Sequence, residues 1–522
     1  IKIENFNLLF EKSIILKDLI SIIKITNSNI IAATVNAKIV DLNYLINEYS
    51  DIVFLRLNDN NTLNILRHSC AHLLAHSLKL LFNNVNIPIG PVIKDGFYYD
   101  FFCKEKITNS HLPEIEKKMH EIAKKEINIE KIFFSYEKAI IFFSNDKYKL
   151  RLIDKIDKNE IITAYKQNSF VDLCKGPHIP NTKFLKYFKL LRVAGAYWEG
   201  NSKNEMLYRI YGTIWNTENE LNEYINNLEA IKNNDHRKIG KELDLFHFRK
   251  EASGVVFWHP KGWKIYISII NYIRKIFEEE GYLEVNTPVK LDRKLFEKSG
   301  HIEKFKNNMF EIEHNNVNYI LKPMNCPCHI DIFNNSTKSY RNLPLRIAEF
   351  GSCYRNEPSG SLYGLMRLKN FTQDDGHIFC SDEQLIDEIQ VFIKNLKKVY
   401  SKFDFNVFNT ILSKRPIVKI GEDKIWDIAE SHLETAIKNL ELNYEISNDG
   451  AFYGPKLEFS LQDNTGKSWQ CGTIQIDFFT AKRLNAKYTS KNGKIKNPII
   501  LHRAILGSIE RFIGILLEVN NG

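Results

Sequence analysis

"RIAEFGSCYRNEPSGSLYGLMRLKNFTQDDGH", residues 346–377, is dense in polar groups between two alternating stretches. Arg355 and Glu357 precede "PSGS", a turn signal, and the chain returns through Arg367 to Phe371. This pattern predicts a strand, a loop and a second strand. Arginine suits a phosphate because its planar fork donates two parallel hydrogen bonds. Phe371 offers an apolar face for a base. No G-x-x-x-x-G-K-[ST] occurs, so this is not a P-loop protein. On these residues alone, a solvated hairpin with surface salt bridges stands beside a nucleotide site.

Two further stretches carry chemistry in the same half of the chain. "PMNCPCH", residues 323–329, sets Cys326 and Cys328 one residue apart, which fits neither haem attachment nor a thioredoxin pair. Read as an extended segment, it puts both cysteines on one face. A tetrahedral zinc site would need ligands from elsewhere. "ILHRAILGSIERFIGIL", residues 500–516, carries His502 and Arg511. Helical periodicity is expected over 503–517, with Gly507 allowing close approach of a ligand. Arg511 in so apolar a run needs an anion, either a ligand or Glu510.

Upstream, His68 and His72 lie four apart on an expected helix, so both project from one face. "VDLCKGPH" sets Cys174 and His178 four apart as well. The two pairs could build a zinc site of one cysteine and three histidines. HxxxH also arises by chance on helices. Ser69 follows His68, so the H-E-x-x-H protease pattern is absent.

The chain has 522 residues, enough for three or four domains. Hydrophobic residues make up 44% and charged residues 26%, a globular balance that excludes a disordered chain. The net charge of +9 is compatible with a nucleic-acid partner without requiring one. Eight scattered cysteines do not form a disulfide framework and suit a reducing cytoplasm. No apolar run is long enough to span a membrane. Residues 1–58 read as a small α/β unit. Then come an amphipathic helix around "TLNILRHSCAHLLAHSLKLLF", a strand at "DGFYYDFF" and a helix at "PEIEKKMHEIAKKEI". Residues 219–243 form a polar helical linker.

Taken together, "PMNCPCH", "RNEPSGSLYGLMR", "FTQDDGHIFC", "QCGTIQIDF" and "HRAILGSIERFIGIL" resemble the catalytic signatures of the bacterial threonyl-tRNA synthetases, class II aminoacyl-tRNA synthetases. "RHSCAHLLAHS", "IGPVIKDGFYYDF", "VDLCKGPHIPNT", "AGAYWEGNS" and "LYRIYGT" resemble their editing domain. The resemblance implies an α+β multidomain chain. A ubiquitin-like domain would span 1–58, an α/β editing domain 59–218 and a linker helix 219–243. A class II catalytic domain built on an antiparallel sheet would span 244–522.

It further implies one catalytic zinc per subunit, held by Cys326, His377 and His502, with Asp375 on the threonine hydroxyl. Arg355 matches the residue on the α-phosphate, Arg511 the one at the γ-phosphate, and Phe371 the one stacked on adenine. Glu357 and Gln475 fall at the nucleotide, while Gln373, Tyr453 and Lys456 fall in the substrate pocket. Magnesium accompanies ATP. His68, His72, Cys174 and His178 match the editing pocket, with Tyr99, Lys149 and Asp172 beside them, and the family edits without metal. The expected partners are tRNA(Thr), ATP and L-threonine, in a cytoplasmic homodimer joined around Pro288. Two residues depart from the pattern: Cys328 where the family has Gly, and Tyr354 where many members have His. The family continues with an anticodon-binding domain, which is expected to be truncated, supplied separately or outside this sequence. A free-standing tRNA deacylase and a non-enzymatic RNA-binding protein remain as rivals, and both predict no threonine-dependent pyrophosphate exchange.

Overall fold

Strands Leu345–Tyr354 and Asn370–Cys380 pair antiparallel as the hairpin expected from the sequence, setting Glu349 opposite Asp375 and Cys353 opposite Phe371. The hairpin is seen in a computed structural model that describes residues 2–3, 6–7, 13–23, 29–59, 61–201 and 204–522. The chain forms two units, Ile1–Leu228 and Glu229–Gly522. Their boundary falls inside the helix Glu218–Asn233, which buries none of its residues.

Among the described residues, the second unit is built on an eight-stranded sheet. Its strands run in the order Leu283–Glu284, Leu345–Tyr354, Asn370–Cys380, Ile499–Ser508, Ser468–Asp477, Lys456–Gln462, Asn409–Ser413, Glu445–Ser447. The two outermost pairings are parallel and the rest antiparallel. One face is apolar: Leu457, Ile474 and Leu506 join a buried cluster with Ile273, Leu396, Leu433 and Phe512 from four amphipathic helices. Because side chains alternate along a strand, Phe371, Gln373, Asp375 and His377 stand together on the other face.

Two expectations are corrected. The run 503–517 is not one helix, because residues through Ser508 belong to the strand Ile499–Ser508 and the helix Ile509–Asn520 starts there. The Ser508 hydroxyl caps that helix by accepting from the Arg511 N–H at 3.2 Å. Nor is "PMNCPCH" extended: Cys326 opens the helix Cys326–Asn334, with Pro327 in its first turn, where its missing N–H costs nothing. Side chains two apart on a helix diverge by about 200°. Cys328 therefore turns away from Cys326, toward Thr287 and Lys322. Its backbone is helical, so replacing Gly imposes no left-handed strain.

Gly507 serves the backbone. Its φ is +72°, a Cβ there would lie 2.5 Å from the Cys471 carbonyl oxygen, and its N–H donates to Asp374 at 2.8 Å. Gly507→Ala is expected to lower stability by about 1–3 kcal/mol. A thermal melt reads this, and an unchanged midpoint would contradict it.

In the first unit, the strands Ile30–Val35, Lys38–Val40 and Asp51–Arg56 share a sheet whose Phe54 clusters with Leu16 and Leu19 of the helix Leu16–Ile22. The helix Leu63–Leu81 is buried along most of its length. Leu73 and Leu74 pack with Phe97 and Ile210 of the sheet that contains Gly96–Phe101 and Met206–Trp215. A separate sheet, Ile129–Phe134, Ile162–Gln167 and Phe170–Leu173, places Asp172 on its last strand, with Cys174 and His178 in the segment that follows, while His68 and His72 stand on the helix Leu63–Leu81.

Candidate active site

Strand register builds the larger site. His377 lies opposite His502, His502 opposite Gln475, and Gln475 opposite Lys456. Directly opposed side chains share a face, so four neighbouring strands contribute one row. This row floors a cavity of about 540 Å³ also lined by Cys326, Arg355, Glu357, Phe371, Gln373, Asp375, Tyr453 and Arg511. Every residue expected at the catalytic centre thus meets in one cavity.

One end of the cavity is cationic. The Arg355 guanidinium lies 5.1 Å from the Phe371 ring centre and donates to the Pro323 carbonyl at 3.3 Å. Arg511 donates to the carbonyls of Met366 and Gln470 at 2.8 and 2.7 Å. Glu510 is not its partner, because that carboxylate accepts from the Thr372 N–H and the Ser508 hydroxyl. Burial lowers the proton affinity of Arg511, and nearby Arg355 and Arg367 push the same way. Two guanidiniums held by neutral oxygens, with Arg367 lining the same cavity, are arranged for a polyanion.

The other end gathers sulfur and nitrogen. Donor atoms of Cys326, His377 and His502 all lie within 4.8 Å of one another. His377 Nε2 stands 2.9 Å from His502 Nδ1, and the outer nitrogen of each ring is engaged. His502 Nε2 meets Asp477 Oδ2 at 3.0 Å. His377 Nδ1 meets His329 Nδ1 at 2.8 Å, and His329 Nε2 meets Glu349 at 3.1 Å. Burial alone would raise both carboxylates. Hydrogen bonds from His329, the Thr287 N–H and Lys322 instead hold Glu349 down to about 2, and His502 holds Asp477 below its usual range.

Ionised carboxylates only accept, so a ring that carries one hydrogen must turn it toward its own carboxylate. His502 then presents a bare Nδ1. His329 takes a hydrogen from His377 Nδ1, leaving His377 Nε2 bare as well. Two lone pairs face each other at 2.9 Å beside a thiol. A cation between them satisfies all three groups, and one sulfur with two imidazoles is a donor set for a borderline-soft metal. Carboxylate-backed histidines of this kind are what orient metal ligands.

Asp375 looks onto the same end. It accepts from Asn325 Nδ2 at 2.8 Å, and Asn325 fits there because Gly351 has no Cβ, which would lie 2.3 Å from that nitrogen. Burial pushes the Asp375 carboxyl upward.

The second constellation lies within the first unit. Cys174 Sγ is 3.3 Å from both His68 Nε2 and His178 Nε2. His72 Nδ1 lies 3.3 Å from Asp172, whose carboxylate also takes the Tyr99 hydroxyl at 2.5 Å and an ion pair from Lys149. Lys149 donates further to the Pro88 carbonyl at 3.0 Å. All seven residues expected at this site therefore converge. Burial drives His72 down to about 3 and lifts the Cys174 thiol to about 12, so both are neutral near pH 7.

Several participants carry no local sequence signal. Glu349 and Asp477 on the sheet and His329 on the helix Cys326–Asn334 meet the metal-facing rings only once the fold brings them together. His301 Nε2 lies 3.4 Å from Cys326 Sγ, and burial draws the ring down to about 4. Ser69 meets His178 Nδ1 at 3.0 Å.

The antiparallel sheet and its arginine-lined cavity are those of a class II aminoacyl-tRNA synthetase. Residues 305–520 match the tRNA synthetase class II core domain (G, H, P, S and T), and residues 162–211 match the threonyl and alanyl tRNA synthetase second additional domain. The threonine–tRNA ligase of Nitrosomonas europaea is 50% identical over 94% of this chain and 78% of its own length. That of Ehrlichia ruminantium is 52% identical over the same shares. The chain belongs to the threonine–tRNA ligase family. The RNA binding domain of threonyl-tRNA synthetase from Cryptosporidium parvum superposes with a TM-score of 0.54 at 40% identity, covering 55% of this chain and 73% of that one.

Proposed function

We propose that the second unit activates L-threonine with ATP and transfers the threonyl group to tRNA(Thr), and that the first unit hydrolyses seryl-tRNA(Thr). The observation that carries the reading is the pair of imidazole nitrogens facing each other at 2.9 Å beside Cys326, set in a cavity whose far end is cationic. In activation, a threonine carboxylate oxygen bonds to the α-phosphorus and the bond to pyrophosphate breaks. Negative charge builds on the phosphates, where Arg355 and Arg511 already stand without needing to reorganise. Magnesium arrives with ATP. Phe371 faces the adenine, Glu357 and Gln475 border the nucleotide, and Gln373, Lys456 and Tyr453 border the amino acid.

We assign the metal as zinc on Cys326, His377 and His502, one per subunit. When bound, zinc supplies an open position for the amino and hydroxyl groups of threonine. Asp375 accepts from the same hydroxyl. A site built to bind that oxygen rejects valine far better than an apolar pocket could. Serine lacks only a methyl, worth about 1–3 kcal/mol, so fidelity needs a second, hydrolytic site. His68, His72, Cys174 and His178 provide it, with Tyr99, Lys149 and Asp172. We read it as metal-free, because the Lys149 ammonium already supplies the positive charge beside Asp172. Chelation is therefore expected to abolish threonine activation and leave seryl-tRNA hydrolysis intact; loss of both would place a metal in the second site too.

Arg511→Ala is expected to slow threonine-dependent pyrophosphate exchange roughly 10²- to 10³-fold. An unchanged rate would overturn the phosphate assignment, and absence of exchange in the unaltered protein would favour a deacylase or a non-catalytic RNA binder. We assign residues 1–58 to the ubiquitin-like domain, 59–218 to editing, 219–243 to the linker and 244–522 to catalysis. Separate sheets in 1–58, 59–218 and 244–522 support these three, whereas 219–243 is not one helix but two, Glu218–Asn233 and His236–Glu242, the second burying His236 and Ile239. A homodimer would form around Pro288, where the edge strand Leu283–Glu284 leaves Leu283 exposed. A cytoplasmic setting suits eight free cysteines, and among the described residues no helix is long and apolar enough to cross a membrane.

A further inference from the structure

Asp41, at the end of the strand Lys38–Val40, is 3% exposed although it belongs to the small N-terminal sheet. One carboxylate oxygen is fixed by its own turn, accepting from the Asn43 N–H at 2.9 Å. The other accepts the hydroxyl of Tyr165, 124 residues away, with the Lys131 ammonium at 3.9 Å. Tyr165 is 1% exposed and lies edge-on to the His178 ring, with centres 4.4 Å apart. Its hydroxyl also covers Gly176, where a Cβ would lie 2.0 Å away and φ is +78°. Gly176 is the midpoint of the loop that carries Cys174 and His178. The phenol thus presses on the loop and one imidazole at once, with its hydroxyl anchored on Asp41 and the Lys131 ammonium over its ring.

We infer that Asp41 and Tyr165 are positioning residues for the hydrolytic site, so that the N-terminal module completes a pocket it does not line. This rests on reading His68, His72, Cys174 and His178 as that site. Neither residue touches the substrate. They act by holding His178 and Cys174 in register with His68 and His72, and a small misplacement of such groups is costly.

The test measures seryl-tRNA deacylation by the full chain, with threonine-dependent pyrophosphate exchange followed alongside as a control located in the other unit. Tyr165→Phe and Asp41→Ala should each lower kcat roughly 10- to 100-fold with KM unchanged. The double variant should be no slower than either single one, because both remove the same contact. Asp41→Asn keeps an oxygen for the phenol and should retain most of the rate, which a merely structural effect of charge loss would not allow. Wild-type kcat in Asp41→Ala, or losses that multiply in the double variant, would overturn the inference. His72→Ala separates the two claims. A wild-type rate there overturns the site and the inference with it; an inactive His72→Ala beside a fully active Asp41→Ala overturns the inference alone.

Discussion

Replacing Cys326 with serine is expected to release the metal and slow threonine-dependent pyrophosphate exchange by roughly 10²- to 10³-fold. Serine is nearly isosteric, so packing around the helix Cys326–Asn334 changes little. What changes is the donor. A thiol becomes a thiolate ligand when a metal binds, whereas a serine hydroxyl holds its proton far more tightly. Burial already pushes the Cys326 thiol well up, so the metal alone stabilises its ionised form. Without it, two bare nitrogens are left 2.9 Å apart, and one ring must take a proton or turn. Seryl-tRNA hydrolysis, carried by the other unit, should not change. A Cys326→Ser protein that keeps full metal content and full exchange rate would contradict the ligand assignment.

Lys149→Met carries the second large effect. Lys149 and Asp172 form a buried pair, with side chains 3% and 1% exposed. Removing one partner of such a pair leaves an uncompensated charge and costs about 3–5 kcal/mol. Burial alone would raise the Asp172 carboxyl, but Lys149 and His72 hold it below its ordinary value. A depressed folded-state pKa contributes stability that is present above the unfolded value, about 3.9, and is lost as pH falls through the folded one. The loss in Lys149→Met should therefore be full at pH 7 and shrink as the pH falls from about 4, where the unfolded carboxyl protonates, through the lower pH at which the folded Asp172 does. Seryl-tRNA hydrolysis should fall by at least about 10²-fold while threonine activation persists. Equal melting of variant and wild type at pH 7 would contradict the buried pair.

The sequence made the central hairpin legible because alternation and a strong turn coincide between Arg346 and His377. It made the long helix Leu63–Leu81 legible because apolar residues recur at helical spacing. It misled at 503–508. A central strand covered on both faces reads as a continuous apolar run, and such a run has no period to separate it from a buried helix. Pro327 misled for a related reason, since proline suits an extended segment and a first helical turn equally. The side chains that bear the chemistry were legible as motifs, but those that orient them were not. Asp477 reaches His502 across 25 residues, His329 reaches His377 across 48, and Asp41 reaches Tyr165 across 124. No local pattern encodes a pairing that exists only once the sheets have formed.

The central claim is that one thiolate and two imidazoles hold a zinc ion that senses the threonine hydroxyl. X-ray absorption at the zinc edge of purified, active enzyme tests it directly. One zinc per chain is predicted, with one sulfur and two histidine nitrogens in its coordination sphere. Added threonine should change the light-atom coordination, and added valine should not produce the same change. An active preparation without zinc, or a spectrum lacking sulfur, would contradict the account.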